Sequence, residues 1–498
     1  MSANAVSAHA ELMTTAMFIN GKAENGTGLP VTVFNPSTGE VAANFPGATL
    51  DQFKAAIASA RKAADQGEWA AMKPADRVAI LRRFIAYLHE QNEAVNSLIV
   101  METGAPVSGF VLQAQVSGPL QQMESMLDLY MKLPEIEDNP LPLEERINSF
   151  GGFVQSIRHY VPVGVVAAIS AYNFPLHISL WKVLTALATG NCVVLRPSPL
   201  TPLSTLALSK AAAAAGLPAG VLHILAEAGP EGAQLLTTDP AVDMVSFTGS
   251  TGVGSVVAGQ AAPSMKRLQL ELGGKSAQIF LPDRVEAAYT AAIGVCLAHA
   301  GQGCVLGTRI FVPEAEKEKV LAGMMQTMAY AKIGDSTAPD TTMGPVISEA
   351  QVERCAHFVK LAVEAGATVV TGGKRADRPG FYFEPTILDA PDNKNPAAQE
   401  EIFGPVVVVI GYRDIDHAIE MANDSPLGLS GHVHGKDARQ ALDVAKRLRT
   451  GTVNINTFMG SAYASSGGVK MSGVGRERGV EGIRAFQEVK VLNLGSAS

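Results

Sequence analysis

The chain has 498 residues, of which 47% are hydrophobic and 17% charged, so it is long enough for two or three domains with a large core. Its net charge of −8 and the lack of any block of basic residues argue against nucleic acid and anionic membrane surfaces as partners. Four cysteines cannot form a disulfide framework, and without CxxC or HExxH spacing no metal site is expected.

The apolar runs and the first residues of the chain predict a cytoplasmic protein. The longest apolar runs, such as residues 163–169, are far shorter than a membrane span. Residues 1–15 lack the basic and apolar regions of an export signal.

In chain order, the first hundred residues are predicted to be mostly helical, because apolar residues recur at helical spacing from Val78 to Leu88. From Pro162 the pattern alternates between short apolar strands and helices. The predicted strands cover residues 163–169, 192–195, 221–225 and 244–247, and the predicted helices cover residues 176–189 and 203–215. Strands that are apolar on both faces and alternate with helices favour a parallel sheet covered on both sides, which is typical of nucleotide-binding domains.

The alternation resumes after Glu271 and predicts a second α/β domain, with strands at 277–281 and 405–410 and a helix at 314–330. The polar, proline-rich residues 135–146 are interpreted as the exit from the first domain. Residues 487–494 alternate like a strand, and a strand at the end of the chain needs an edge to pair with, which a neighbouring subunit could supply.

Cys304 is the first candidate for chemistry. It lies in a glycine-flanked segment, AGQGCV at 300–305, where a thiol can be exposed and reactive. Glu271, in LELGGK at 270–275, could be brought beside it as a general base. A lone cysteine is more often a small buried hydrophobic residue, so this interpretation depends on the neighbouring motifs.

Three further segments lie at the ends of predicted strands and could contact a ligand, and a fourth precedes a predicted strand. Residues 247–254, FTGSTGVG, could bind a phosphate at a helix N-terminus, although a tight turn would look similar. Asn173 could donate to an oxyanion or simply form a turn before a proline. Arg196 could contact a ribose or phosphate or lie in a solvated turn, and Glu401 could merely mark the start of a buried strand.

Taken together, these motifs resemble the NAD(P)-dependent aldehyde dehydrogenase superfamily, in its non-acylating, hydrolytic branch. The resemblance runs from Phe18 to about Val491. The matching motifs are NFP at 173–175, FTGS at 247–250, ELGGK at 271–275, GQGC at 301–304, EIFGP at 401–405 and SGVGRE at 472–477.

The resemblance implies an α/β fold with three parts. A Rossmann-like NAD(P)-binding domain is expected at residues 1–138 and 161–271, and an α/β catalytic domain at 272–472. A small β arm at 139–160 and 486–498 is expected to join subunits into a homodimer or homotetramer.

The resemblance also implies a reaction, in which a thiol adds to an aldehyde, hydride transfer leaves a thioester, and water releases the acid. Cys304 would be the nucleophile, Glu271 the base that activates water, and Asn173 the oxyanion donor, with Lys182 and Glu477 relaying protons. The cofactor would be NAD, with NADP also tolerated. The expected cofactor contacts are Ser170, Ala171, Tyr172, Arg196, Ser198, Pro199, Gly249, Ser250, Gly254, Leu272, Glu401 and Phe403.

Two departures from the family pattern bear on specificity. Arg196 stands where lysine is usual, and Pro199 where NAD-preferring members often have a glutamate that repels a 2′-phosphate, so NADP should be tolerated. Ser465 and Ser466 stand where many relatives have Pro-Phe, and the loss of that ring should widen the substrate mouth.

The residues expected to line the substrate site are apolar or aromatic, with no arginine among them to hold a carboxylate. They are Phe174, Ile178, Trp181, Val305, Phe458 and Tyr463. This set favours a hydrophobic aromatic, terpenoid or aliphatic aldehyde over an anionic semialdehyde.

Three alternatives remain open. The protein could be a semialdehyde dehydrogenase, or a CoA-acylating member, although that branch generally lacks the glutamate that stands here as Glu271. It could also be a non-enzymatic structural protein of the same fold. Such a protein should have lost one of Asn173, Glu271 and Cys304, and all three are present.

Overall fold

Two large sheets organise the fold of the computed structural model, which describes residues 12–147, 152–458 and 460–495. The first sheet has eight strands, and the pairings among its five central strands are parallel. Its spatial order is Lys22–Glu24, Met17–Ile19, Leu222–Ile224, Cys192–Arg196, Val165–Ile169, Met244–Thr248, Arg267–Glu271 and Gly473–Val474.

The chain order of these parallel strands creates a ligand-binding crevice. From Val165–Ile169 the chain first adds Cys192–Arg196 and Leu222–Ile224 on one side, and then Met244–Thr248 and Arg267–Glu271 on the other. In open α/β sheets, ligands bind outside the carboxyl ends of the strands at the point where the order reverses. Here that point lies between the ends of Val165–Ile169 and Met244–Thr248.

The second sheet has seven strands, and all its pairings are parallel except the one at its first edge. Its order is Thr368–Thr371, Thr386–Asp389, Val406–Tyr412, Arg309–Pro313, Ala277–Phe280, Ser430–His434 and Thr452–Ile455. The predicted second set of α/β elements is therefore present.

A third, antiparallel sheet contains the strand near the end of the chain. Gln487–Gly495 pairs with Val154–Pro162 along its whole length, and Ile136–Asp138 forms the other edge. This confirms the strand predicted from the alternation after Phe486. Smaller pairs join Pro30–Phe34 to Val41–Pro46 and Leu427–Gly428 to Val469–Lys470.

Helices cover both large sheets. The α-helices are Leu50–Gln66, Glu68–Ala71, Pro74–Glu90, Asn92–Thr103, Phe110–Gln115, Ser117–Tyr130, Pro175–Ala188, Leu203–Leu206, Leu208–Ala215, Glu231–Thr238, Thr251–Ala261, Ala291–Leu297, Lys317–Met328, Glu349–Glu364, Pro396–Gln399, Ile415–Asn423, Ala438–Arg447 and Gly479–Arg484. Short 3₁₀ segments are Leu143–Arg146, Ala262–Ser264, Pro282–Thr290, His299–Gly301 and Glu314–Glu316.

The prediction that the first hundred residues are mostly helical is wrong for the part before Pro46, which forms strands. The signal that was overlooked is Asn20-Gly21. Both residues have positive φ, 49° and 75°, as a tight hairpin turn between Met17–Ile19 and Lys22–Glu24 requires. Strands of three residues are too short to be predicted from residue propensity and hydrophobic periodicity alone.

Two hydrophobic cores lie against the two large sheets. One is built from residues between Leu12 and Leu272, joined by Ala462, Ile483 and Phe486. The other is built from residues between Ala277 and Leu448. Within the described ranges, no helix combines the length and hydropathy needed to cross a membrane.

Candidate active site

The loop that carries Cys304 is held in a strained backbone conformation. His299, Ala300 and Gly301 have φ values of 55°, 49° and 73°, three left-handed residues in succession. At Gly301 a methyl group would also clash with the carbonyl oxygen of Gly404, so glycine is required there on both counts. Strain of this kind persists only where the surroundings enforce it, and it is common at functional sites.

Gln302 holds this loop in place through its side-chain hydrogen bonds. Its side chain is fully buried, donates from Nε2 to the His299 carbonyl over 3.1 Å, and accepts at Oε1 from the Ile347 amide over 3.0 Å. These bonds fix the backbone two residues before the thiol of Cys304, which is itself partly buried.

Glu271 reaches the same place from the first sheet. It is the last residue of Arg267–Glu271, and the chain then turns back through Gly273 and Gly274. A methyl group on Gly274 would clash with the Cys304 carbonyl oxygen, so this turn lies directly against the cysteine loop. The Glu271 Oε1 atom is buried and has no hydrogen-bond partner among the described residues, which leaves it available to a ligand or water.

Burial shifts the pKa values of both groups upward. Burial, and then the charge of Glu477, raises the pKa of Glu271 to about 8. Burial, followed by the charges of Glu401 and Glu271, raises the pKa of Cys304 to about 12. The cysteine is therefore a thiol at neutral pH, and a nearby base must take its proton before it can attack.

Asn173 lies on the other side of the cysteine loop. It is 4% exposed, and its Nδ2 donates to the Gln302 carbonyl over 2.8 Å. Its own carbonyl accepts from Gln115 Nε2 over 2.7 Å, which fixes the backbone after the strand Val165–Ile169. The amide donor therefore lies beside the loop of Cys304.

Lys182 and Glu477 form a buried pair. Lys182 is fully buried, and its Nζ lies 2.8 Å from Glu477 Oε1 and donates to Ser246 Oγ over 3.0 Å. The chain of hydrogen bonds continues from Ser246 to Gln269 Oε1 over 2.7 Å. The charge of Glu477 also contributes to the raised pKa of Glu271, so the pair lies near the candidate base.

The glycine-rich segment fits a bound pyrophosphate. Ser250 caps the helix Thr251–Ala261 by accepting from the Val253 amide over 3.4 Å. A methyl group on Gly252 would meet nothing within 4 Å, so this helix terminus is open to a ligand, whereas Gly254 packs tightly on Leu272. An open helix N-terminus beside the switch point of the sheet is a site for phosphate groups.

The proposed nicotinamide contacts lie between this helix and Cys304. Glu401 Oε1 accepts from the Gly274 amide over 2.8 Å, and burial raises the pKa of its carboxyl group. The Phe403 ring packs edge-on against Tyr172 at 5.9 Å, and Phe403 has a left-handed φ of 63°. Gly249 is tied to the strand end through a bond from its amide to the Glu271 carbonyl over 3.1 Å.

Arg196 ends the strand next to the switch point and is held by an acidic partner. Its Nε lies 3.0 Å from Glu227 Oε1, and its Nη2 donates to the Gly229 carbonyl over 2.8 Å. Glu227 is 5% exposed and also accepts from the amides of Gly232 and Ala233. The sequence motifs did not include Glu227.

The remaining residues expected to contact cofactor lie around the same strand ends. The Ser170 amide donates to the Arg196 carbonyl over 3.1 Å, and Ala171 is partly exposed. Ser198 is buried, and its Oγ accepts from Leu200, while Pro199 beside it is partly exposed.

The predicted substrate residues divide into an inner and an outer group. Phe174 packs edge-on against His299 at 5.5 Å, and Trp181, one turn beyond the partly exposed Ile178, is 2% exposed. The outer Phe458 is 64% exposed and stacks at 6.0 Å on His432.

His432 connects the outer group to the cysteine loop, because it bonds the Val305 carbonyl over 3.2 Å. Tyr463 is half exposed and lies under the ammonium group of Lys132 at 5.5 Å. Ser466 forms two backbone hydrogen bonds with Glu477, of 2.7 and 2.8 Å. The serines that replace Pro-Phe therefore lie next to the Lys182–Glu477 pair.

Two polar residues beside the inner group were missed. Arg478 Nη2 bonds His177 Nε2 over 2.8 Å, and its guanidinium lies 5.2 Å from the Trp181 ring centroid. A signal was present in the sequence, since His177 stands four residues before Trp181 on one helix and Arg478 directly follows a motif residue.

Comparison with known proteins agrees with this geometry. Residues 23–492 match the aldehyde dehydrogenase family. A betaine aldehyde dehydrogenase of Cereibacter sphaeroides is 36% identical over 96% of each chain. A geranial dehydrogenase of Castellaniella defragrans is 35% identical over 93% of this chain and 95% of its own.

A solved structure gives the same result for the fold. An aldehyde dehydrogenase of Mycobacterium tuberculosis, complexed with NAD+, has a TM-score of 0.90 and 36% identity and covers 96% of this chain and 97% of its own. The chain therefore belongs to the aldehyde dehydrogenase family. This confirms the predicted family, the α/β fold with its nucleotide-binding domain, and the class of NAD(P)-dependent oxidoreductases.

Proposed function

We propose that this protein oxidises an aldehyde to a carboxylic acid with NAD(P)+, through a covalent intermediate on Cys304 that water hydrolyses. One observation carries the proposal. The turn after Glu271 lies directly against Cys304, and the Asn173 amide donates to a carbonyl two residues before the thiol. A nucleophile, a base and an oxyanion donor therefore converge on one small volume.

The first half of the reaction forms the thioester. Cys304 loses its proton to Glu271, directly or through water, and its sulfur attacks the aldehyde carbon. The resulting hemithioacetal oxyanion accepts hydrogen bonds from Asn173 Nδ2 and the Cys304 amide. Glu401 and Phe403 would hold the nicotinamide beside this carbon, and the bound cofactor would supply the hydride acceptor.

The second half releases the acid. Glu271 first passes the proton that it took from Cys304 to Glu477, the partner of Lys182. It then takes a proton from water, whose oxygen attacks the thioester carbon, and returns that proton to the Cys304 sulfur as the sulfur leaves. The unpartnered Oε1 of Glu271 is the atom suited to hold the attacking water.

Glu271 also favours water over coenzyme A as the acceptor, since a thiol acceptor would not need this base. A purely structural role is disfavoured because Asn173, Glu271 and Cys304 are all present and close together. The assay is the initial rate of NAD+ and NADP+ reduction with aromatic, terpenoid, aliphatic and semialdehyde substrates. We expect NADH without coenzyme A; a strict requirement for coenzyme A, or silence across the panel, would contradict the proposal.

We further propose that the body of the aldehyde is apolar, of the aromatic, terpenoid or aliphatic kind. Phe174 and Trp181 supply aromatic walls near the cysteine loop, and Phe458 supplies one at the mouth. The similarity to a geranial dehydrogenase supports an apolar body, whereas the similarity to a betaine aldehyde dehydrogenase does not, so the relatives do not select a single substrate.

We infer that NAD is preferred over NADP, because the Arg196 guanidinium is paired with the Glu227 carboxylate and is not free to bind a 2′-phosphate. The end of the second strand of a nucleotide-binding sheet is where an acid contacts the ribose 2′-hydroxyl or an arginine accepts a 2′-phosphate. With Pro199 in place of a glutamate, the Arg196 guanidinium would be free for NADP if Glu227 did not hold it at 3.0 Å.

Replacing Glu227 by glutamine should therefore lower the dissociation constant for NADP relative to NAD by about tenfold. The glutamine keeps an acceptor for one of the two amides, of Gly232 or Ala233, and removes the charge that holds the guanidinium. Fluorescence titration of both cofactors gives this ratio without turnover. The control is Glu231→Gln, which removes an exposed carboxylate four residues away. If the ratio of the NADP and NAD dissociation constants is unchanged in Glu227→Gln, the Arg196–Glu227 ion pair does not determine cofactor specificity.

We also propose that the protein is a cytoplasmic homo-oligomer. The strand Gln487–Gly495 forms one edge of its sheet and exposes Val489, Val491 and Leu494. An exposed apolar edge strand is suited to pairing with a second copy. Light scattering of the purified chain would give its mass, and a monomer would contradict the proposal.

A further inference from the structure

A guanidinium group without a carboxylate partner lies beside the inner substrate residues. Arg478 has a left-handed φ of 61°, which is uncommon for a residue other than glycine. Its side chain is positioned by the 2.8 Å bond to His177 and by the face of Trp181. No carboxylate in the described parts of the chain comes within 4.0 Å of it.

The charges of Glu477 and Glu271 act on this cation, but neither carboxylate forms an ion pair with it. Glu477 is paired with Lys182 at 2.8 Å. The pKa of Glu271 is raised by burial to about 8, so this carboxyl group is mostly neutral at pH 7. Burial and the charge of Arg478 lower the pKa of His177 to about 3, so the imidazole stays neutral. Its Nε2 accepts from Arg478, while its Nδ1–H donates to the Ala114 carbonyl over 3.3 Å. Arg478 is partly buried and has no directly paired anion, so a ligand that supplies an anion would be favoured beside it.

A further donor without a partner lies in this region. Trp181 is 2% exposed, and its Nε1–H has no acceptor among the described residues. A methyl group placed on Gly460 would lie 3.1 Å from Arg478 Nη1 and 3.6 Å from Gln122 Nε2, so both side chains lie beside this glycine. A buried donor without a partner is rare in proteins, and the Trp181 N–H therefore indicates a missing acceptor.

We propose that Arg478 and the indole N–H of Trp181 form a subsite for a carboxylate carried by the aldehyde substrate. The substrate is then an aldehyde with an apolar body and a carboxylate away from the reacting carbon. The planar fork of a guanidinium suits a carboxylate, because it offers two parallel donors. This inference rests on the proposed aldehyde oxidation and names its substrate class.

The test compares matched acidic and neutral aldehydes. The pairs are 4-carboxybenzaldehyde with 4-methylbenzaldehyde, and succinic semialdehyde with pentanal. In the unaltered protein we expect kcat/KM to favour the acid by about tenfold or more in at least one pair. Arg478→Asn, which tolerates a left-handed backbone, should reduce that preference by about 10- to 100-fold, mainly through KM.

Two further variants separate binding from folding. Arg478→Lys keeps the charge and should restore part of the preference, while Trp181→Phe keeps a ring without the N–H and should reduce it by a few-fold. In a binding assay without turnover, terephthalate should bind to Cys304→Ala and bind at least about tenfold more weakly to Cys304→Ala/Arg478→Asn.

Three outcomes overturn the inference. One is an acid-to-neutral ratio near one in both pairs, and another is a ratio that Arg478→Asn leaves unchanged. The third is a variant that shifts only the pH profile with neutral aldehydes, which would make Arg478 a counter-ion for Glu271. If no aldehyde is oxidised at all, the proposed aldehyde oxidation is itself wrong. Failure of the carboxylate subsite can therefore be distinguished from failure of the proposed function.

Discussion

Replacing Cys304 by alanine is expected to reduce aldehyde oxidation by at least about 10³-fold while leaving NAD+ binding intact. The sulfur is the proposed attacking atom, and the loop around it is fixed by Gln302 rather than by the thiol. Stopped-flow absorbance should show no burst of NADH, and mass spectrometry should find no acyl adduct.

The matched control is Cys192→Ala. Cys192 is fully buried at the start of the strand Cys192–Arg196, at the end of the sheet opposite the crevice. Its loss should lower stability slightly and leave the rate within about twofold of the unaltered protein. Residual oxidation of more than a few per cent in Cys304→Ala would assign the covalent step to another group.

Replacing Glu271 by glutamine is expected to stop the reaction after the thioester forms. The amide cannot activate water, so steady-state turnover should fall by about 10²- to 10⁴-fold, the usual contribution of a general base. A burst approaching one NADH per site should remain if water or another group takes the Cys304 proton, and a persistent acyl adduct on Cys304 should then be visible by mass. Glu481→Gln, on the exposed side of the helix Gly479–Arg484, is the matched control.

The same residue should govern the pH dependence. Because burial raises the pKa of Glu271 to about 8, the base form needed for hydrolysis is the minor form at pH 7 and increases as the pH rises. Turnover should therefore increase through pH 8 and level off above it. In Glu271→Gln this rise should disappear from the residual rate. A rise that persists unchanged would assign the titrating group to another residue.

Much of the site is predictable from the sequence, because its parts are short local segments. GQGC, ELGGK and NFP each combine a chemical group with the glycines or proline that shape the turn around it. The structure brings Asn173 and the turn after Glu271 to the loop of Cys304, and it shows the buried pair of Lys182 and Glu477. Glu271 lies at the carboxyl end of one strand and Asn173 just after the end of another, where a parallel sheet collects such residues.

Other features could not be predicted from single segments. The short hairpin at Met17–Glu24 was missed because its strands are only three residues long, although Asn20-Gly21 marks the turn. The expectation of an apolar site came from counting side-chain types. It overlooked Arg478. Its position directly after the motif at 472–477 could have drawn attention to it, but only the structure shows that it packs on Trp181.

The sequence by itself determined the family, the α/β architecture and the identity of the reactive groups, because these are encoded in contiguous motifs and in the alternation of strands and helices. Only the tertiary structure decided which charges remain free. Arg196 is neutralised by Glu227, 31 residues away, whereas Arg478 meets the neutral His177 across 301 residues. Coulombic and hydrogen-bond pairing depends on distance in space, which packing fixes and local sequence does not. Specificity for cofactor and substrate therefore depends on contacts that only the fold creates.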